Sequence, residues 1–396
     1  MAVLGSTGGG KSWSLARLVE QSAKHSSKVL LFDAAGEFSA LKDGVRHVHI
    51  GTCSDADADS KEVALPFREL TERDLFAIFK PEGASQVSKL KEAIKSLKLA
   101  RLEPSLAPEG TILKADKAKD RFEHASLVHV HSIETPTSDF EIYDLGRQIR
   151  CECVFPQRSS LEWEYWGGVD GSELARCVPL INRIEDIVST PSLTPIFNSN
   201  NKPSLLNEIY EFMNDDSSQV LCVSLAELPF AHNVREIIVN AVGRHLLTLG
   251  RTSFFKTKPL LVVLDEAHQF LKYLITEGDS KYSLDSFSHI AKEGRKYALT
   301  MCLATQRPRD IPEGVLSQIG TFLVHRLAND NDRGVIERAC GQLSGSALDI
   351  IPNLGSGEAV LLGASFPTPT RVKIIAPESK PDSKGPDFSK YWRRAH

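Results

Sequence analysis

The sequence predicts an α/β fold, a mostly parallel sheet covered by helices, with a mostly helical insertion in its middle. Three observations lead there. Apolar runs of strand length alternate with helix-like stretches toward both ends of the 396-residue chain, the rhythm of a parallel sheet. Those runs are continuously apolar, as strands covered on both faces are. Between about residues 66 and 216 the rhythm stops, and charged residues and helix formers take over.

Taken in order, Ala2–Leu4 is the first strand, running into a glycine-rich turn and a helix-like stretch from Lys11 to Ala23. Lys28–Asp33 (KVLLFD) is the second strand and Val45–Ile50 (VRHVHI) the third. In the insertion, Lys89–Leu102 sets Leu90, Ile94, Leu97 and Leu102 on one helical stripe. Pro104, Pro108 and Gly110 then break the helix. The insertion is expected to pack on the sheet or form a lid, and its Lys-rich faces read as solvated helix surface, with DNA contact as the second reading. The rhythm returns with a strand at Gln219–Ser224 and a helix at Ala231–Leu249. A strand at Pro259–Asp265 leads into a helix with Arg295 near its end, and Leu299–Thr305 and Thr321–Arg326 are two more strands. Glu358–Leu362 and Arg371–Ile375 form a terminal hairpin, and the stretch from Pro377 (PESKPDSKGPDFSKYWRRAH) has the composition of a linker or flexible arm. The expected organisation is therefore a core in two parts, 1–65 and 217–376, an insertion at 66–216, and a tail at 377–396.

Composition narrows the class. Hydrophobic residues make up 41% and charged residues 25%, as in ordinary soluble domains. No run approaches the 18 apolar residues of a membrane span, and MAVLGSTGGGKS lacks the layout of a signal peptide. Seven cysteines without CxxC spacing suit a reducing cytosol, so a cytoplasmic protein with no membrane partner is expected. The net charge of −4, from 47 basic and 51 acidic residues, excludes a uniformly basic coat but not a local basic surface.

Gly5-Ser-Thr-Gly-Gly-Gly-Lys11-Ser12 matches GxxxxGK[ST] in full, with a strand before it and a helix after it. Glycines let successive backbone N–H groups turn inward as an anion nest, and the helix aims its positive end at the same point. Lys11 then neutralises phosphate oxygens and Ser12 holds Mg²⁺. The candidate nucleotide contacts are Gly5, Ser6, Thr7, Gly8, Gly9, Gly10, Lys11, Ser12 and Trp13, with ATP and Mg²⁺ as the cofactors. The strand Leu260–Leu264 delivers Asp265 and Glu266 to the carboxyl edge of the sheet, Asp265 to the metal and Glu266 to polarise attacking water. Gln306, directly after Leu299–Thr305, can touch both γ-phosphate and water. Asp33 and Glu37 in LLFDAAGEF are loop caps or stand beside the nucleotide. Phosphoryl transfer also rewards an arginine, and Arg295, Arg307, Arg309 and Arg326 are the candidates. His124, His129 and His131 lack a third ligand at zinc spacing, although LVHVHS, read as a strand, puts His129 and His131 on one face. Cys151 and Cys153 read as plain core or surface cysteines. A nucleotide kinase or GTPase is disfavoured: no NKxD occurs, and the Asp-Glu pair favours water as acceptor.

These pieces, in this order, resemble the HerA/FtsK branch of P-loop ATPases, and HerA most closely. The matching stretches are LGSTGGGKS, LLFDAAGEFSAL, LLVVLDEAHQFL, IAKEGRKYALTMCLATQRPRDIPEGVLSQIGTFLVHRLANDNDR and LGSGEAVLLG. They cover about residues 1–65 and 217–376, and the DxxGEF element and the EGRKY…ATQRP block are specific to the branch. The resemblance implies a RecA-like P-loop NTPase core, a homo-hexameric ring with ATP at subunit interfaces, and double-stranded DNA through the pore. It implies that Lys11 and Ser12 bind phosphates and Mg²⁺, that Asp33, Asp265 and Glu266 are the acids of hydrolysis, and that Gln306 is the sensor. Arg295, in the matching GRK, is implied as a finger supplied in trans. The implied partner is a nuclease or sirtuin-like effector, in DNA end processing or antiphage defence. Only four residues precede Gly5, so the family's small N-terminal β-barrel is expected to be absent. The contrasting expectation is an ATP-gated ring that scaffolds an effector without processive movement. Trp392 and the tail arginines are expected to brace a neighbouring subunit or to be disordered.

Overall fold

The structure, a computed structural model, describes residues 1–25, 27–51, 60–199, 202–271, 274–277, 280–340, 349–364, 366 and 368–382. Its strands are β1 (Ala2–Leu4), β2 (Lys28–Asp33), β3 (Val45–Ile50), β4 (Lys61–Val63), β5 (Val220–Ser224) and β6 (Leu260–Leu264), then β7 (Leu274–Glu277), β8 (Ser280–Ser283), β9 (Leu299–Thr305), β10 (Phe322–Val324), β11 (Glu358–Leu362) and β12 (Thr370–Lys373). Ten of them form one sheet in the order β12-β11-β10-β1-β9-β6-β2-β5-β3-β4. Every neighbouring pair from β10 to β4 is parallel. β11 and β12 join antiparallel at one edge.

Strand β2 shows why the sheet sits centrally. All six residues are buried, and successive side chains fall into two cores: Leu30 and Phe32 on one face, Val29 and Leu31 on the other. The second face receives Leu15, Ala16 and Val19 of the helix Lys11–Ser22. The first carries the helix Val234–Arg251 and most of the helices between β4 and β5 in one continuous apolar cluster, while Ala125 and Ile133 join a smaller separate one. Burying each such side chain is worth about 1.5–3 kcal/mol. The insertion therefore lies on the sheet and shares its core.

Local readings differ from the structure where neighbours outweigh pattern. In the helix Gly83–Leu102, Leu90, Ile94 and Leu97 are buried, but Leu102 is 40% exposed because the helix ends there, before Pro104. LVHVHS is helical, closing the helix Asp120–Val128 and starting a turn at Val130–Ile133. That removes the shared strand face of His129 and His131; among the described residues no group of three or more His, Cys, Asp or Glu is placed to hold a metal ion. Two strands, β7 and β8, pair as a hairpin between β6 and the helix Ser286–Glu293, so the expected helix begins later than its strand suggests. Residues 377–382, expected as flexible arm, lie against the helix Lys11–Ser22, where the N–H groups of Glu378 and Ser379 donate to Glu20. Trp392 and the tail arginines fall outside the described residues. No helix among the described residues is long and apolar enough to cross a membrane.

Candidate active site

Parallel strands deliver their carboxyl ends to one edge, and the candidate residues gather there. Gly5 to Ser12 wraps from β1 into the helix Lys11–Ser22. Gly8 and Gly10 take φ of 74° and 105°, a region in which side chains are strained. Gly10 caps the helix without a side-chain bond, and no acid stands in the first turn. The helix thus keeps its orphan N–H groups and positive end open toward the loop.

The floor of this loop is the end of β10. Ser6 donates to the Arg326 carbonyl from both its N–H and its hydroxyl, each at 2.9 Å, and the Gly9 N–H donates to the Ser6 carbonyl at 3.0 Å. Below it lies His325, fully buried. A Cβ on Gly5 would stand 2.7 Å from the His325 Cβ, so glycine is required there. His325 Nδ1 meets the Glu358 carbonyl at 2.8 Å and Nε2 meets Ser14 Oγ at 2.8 Å. A carbonyl only accepts, so Nδ1 carries the proton and Ser14 donates to Nε2. Burial lowers the His325 pKa and keeps the ring neutral.

Strand β6 ends at Asp265 and Glu266, and Lys11 reaches both: Nζ lies 3.3 Å from Asp265 Oδ1 and 2.7 Å from Glu266 Oε1. Gln306 joins them, donating from Nε2 to Glu266 Oε1 at 2.8 Å while its Oε1 accepts from Thr7 Oγ1 at 2.6 Å. His268 Nδ1 lies 3.2 Å from Glu266 Oε2 and 3.1 Å from Thr305 Oγ1. Burial pushes the Asp265 carboxyl up to about 6, against the pull of Lys11. Burial also opposes charge on Glu266, but the His268 hydrogen bond and Lys11 outweigh it and hold the carboxyl down at about 2. Burial works against the Lys11 charge too, and the two carboxylates overcome it and raise its pKa. Glu266 itself has φ 46°, left-handed for a residue with a side chain.

Asp33 is placed differently from its nearest acids. Its Oδ1 accepts the N–H groups of Ala35, Gly36 and Glu37 at 3.2, 2.8 and 3.1 Å, and Oδ2 that of Phe38 at 2.9 Å. Both oxygens are engaged by the loop after β2, which carries Glu37 to the site. Arg295 is exposed in the turn Gly294–Tyr297, before β9. Gln306 follows the other end of that seven-residue strand, roughly 23 Å away at 3.3 Å per residue. Arg307 and Arg309 stand beside Asp310, and exposed Arg326 supports Ser6 through its carbonyl. His325 and Ser14 escape sequence reasoning, since their contact spans 311 positions. His268 carries a local signal, standing two residues past Glu266.

Beside the loop is a cavity of about 540 Å³, lined by Ser6, Thr7, Gly8, Gly10 and Lys11, by Ser12 and Trp13, and by Glu37, Glu266 and Gln306. Its donors suit a magnesium nucleoside triphosphate: backbone N–H groups and an ammonium for phosphate, a hydroxyl and carboxylates for a hard cation.

Known proteins resemble the chain in both sequence and fold. Residues 1–128 match the family described as the central domain of helicase HerA. The DNA double-strand break repair helicase HerA of Pyrococcus furiosus is 35% identical over 116 residues, 29% of this chain and 20% of that protein. Its counterpart from Sulfolobus acidocaldarius is 29% identical over 165 residues, 42% of this chain and 32% of that one. The matches thus span less than half the length of these relatives. Among solved structures, VirB4 of Thermoanaerobacter pseudethanolicus superposes with a TM-score of 0.56 at 12% identity, covering 95% of this chain and 88% of that one. The plasmid coupling protein TrwB in complex with ADP and Mg²⁺ superposes with a TM-score of 0.53 at 14% identity, covering 95% and 84%. The first 128 residues of the chain thus resemble the central domain of helicase HerA, and its sheet has the fold of VirB4 and TrwB.

Proposed function

We propose that this chain hydrolyses ATP and couples hydrolysis to movement along double-stranded DNA, as a subunit of a homo-hexameric ring that serves a nuclease or sirtuin-like effector in the cytoplasm. The observation that carries the reading is Glu266, held charged and bonded at once to Lys11 and Gln306 on the rim of the phosphate-sized nest. The backbone N–H groups of Gly8, Gly10 and Lys11 and the helix N-terminus receive the phosphates, and Lys11 turns to their oxygens. Ser12 and Asp265 hold Mg²⁺, which when bound draws charge from the phosphate oxygens. Glu266 takes a proton from water, and Gln306 ties that water's position to Thr7 on the loop. Asp33 positions this site by shaping the loop of Glu37. Arg295, a strand's length from its own Gln306, serves a neighbouring subunit.

The test is ATP hydrolysis with and without duplex DNA, with particle mass measured in parallel. Lys11→Ala abolishes hydrolysis; Glu266→Gln binds ATP and does not turn it over. Full hydrolysis in either variant overturns the site. A rate indifferent to DNA in a six-subunit particle favours the scaffolding ring over the motor.

A further inference from the structure

The cavity has a second wall that the phosphate chemistry does not use. Besides the glycine loop it is lined by Ser356, Gly357, Lys373, Ile374 and Ala376, and by Trp13. The first five of these come from the start of β11 and from the chain leaving β12. The Ile374 N–H donates to the Gly357 carbonyl at 2.8 Å, and the Gly357 N stands 3.3 Å from where a Cβ on Gly10 would lie. The second wall is therefore built directly against the phosphate loop.

Beyond Ala376 the chain crosses the helix Lys11–Ser22 and is fastened to it. The N–H of Ser379 donates to Glu20 Oε1 at 2.8 Å and that of Glu378 to Oε2 at 3.2 Å. Arg17 lies 3.3 Å from Glu20 and 3.7 Å from Glu378, and Lys24 is also 3.7 Å from Glu378. The Lys380 ammonium stands 6.0 Å from the centroid of the Trp13 ring, and the Asp382 N–H donates to the Glu37 carbonyl at 2.8 Å. Pro377 and Pro381, both buried, stiffen the segment at either end of this crossing. Two backbone bonds to one carboxylate make a latch rather than a chance contact.

Resting on the nucleotide reading above, we infer that residues 373–382 form a strap that completes the base side of the site, with Trp13, Ile374 and Ala376 as its apolar walls and Glu20 as the latch. The ligand class is a nucleoside triphosphate whose flat base is gripped by an indole and aliphatic side chains, separately from its phosphates. Glu20 touches no ligand; it positions the strap.

The phosphates and the base can be separated by comparing MgATP with magnesium tripolyphosphate, which carries the triphosphate and no base. Both are titrated calorimetrically into the full chain. Trp13→Ala and Ile374→Ser should each weaken ATP roughly tenfold or more, the scale of losing a base stack on an aromatic ring, and leave tripolyphosphate within about twofold. Glu20→Ala should weaken ATP in the same selective way, and Trp13→Phe, which keeps a ring, should restore it. Unchanged tripolyphosphate binding certifies that each variant is folded. Equal losses for both ligands, or no loss of ATP in any variant, overturns the strap while leaving the phosphate loop in place. A wild-type chain that binds tripolyphosphate and ATP equally well also overturns it, and one that binds neither overturns the nucleotide reading itself.

Discussion

Replacing Asp33 by Asn separates two roles that the position allows, reacting acid and loop cap. The carboxylate is 1% exposed and accepts four backbone N–H groups from residues 35–38. An asparagine keeps an oxygen for the three bonds at Oδ1, but its NH₂ faces the Phe38 N–H, leaving a donor against a donor. One unsatisfied buried N–H costs about 1–3 kcal/mol. The cost falls on the loop, so local opening should rise about 5- to 150-fold, at 1.4 kcal/mol per decade. Hydrogen exchange followed by mass spectrometry on a peptide spanning 33–38 reads this directly. The expected result is faster exchange in that peptide, unchanged exchange in the core strand β9, and reduced hydrolysis through displacement of Glu37. Loss of hydrolysis with 35–38 as protected as in wild type would refute the reasoning and make Asp33 a reacting acid.

Three further outcomes are expected. Arg295→Ala should stop hydrolysis alone and recover part of it in rings mixed with Glu266→Gln subunits, whose intact arginines serve the neighbouring Arg295→Ala sites. Absence of recovery in mixed rings of normal mass excludes the trans role. Ser14→Ala strips the donor from the buried His325 Nε2 and should lower stability by about 1–3 kcal/mol, measured as a shift in the urea midpoint. Cys153, pushed up to about 12 by burial first and by Cys177 next, and Cys302, pushed up to about 11 by burial, should resist iodoacetamide at pH 8 until the chain unfolds, because almost no thiolate is present.

What the sequence reveals is what is written locally. The strands β2 and β9 announce themselves as largely apolar runs of strand length, and the expected bounds of these two and of β3 coincide with the observed ones. Lys11, Ser12, Asp265, Glu266 and Gln306 are legible because each stands at a fixed offset from a strand end, where a parallel sheet must expose it. What stays hidden depends on partners far along the chain. The His325–Ser14 bond spans 311 positions and the Ser379–Glu20 bond 359, and neither leaves a periodic trace. Asp33 is intermediate: its place is legible, but its use turns on where four N–H groups point. LVHVHS misleads because alternation over so few residues is also compatible with the end of one helix and the start of another.

The left-handed backbone at Glu266 sets this carboxylate against the durability of the fold. A residue with a side chain held at φ 46° costs on the order of 1 kcal/mol relative to one free to take that shape. Glycine there would relax the turn after β6, yet it would leave Lys11 without its 2.7 Å partner and Gln306 without its acceptor. Selection for robustness alone would therefore drift toward a sturdier and chemically silent chain. A glutamate kept at this bend therefore fits the role in hydrolysis proposed for it.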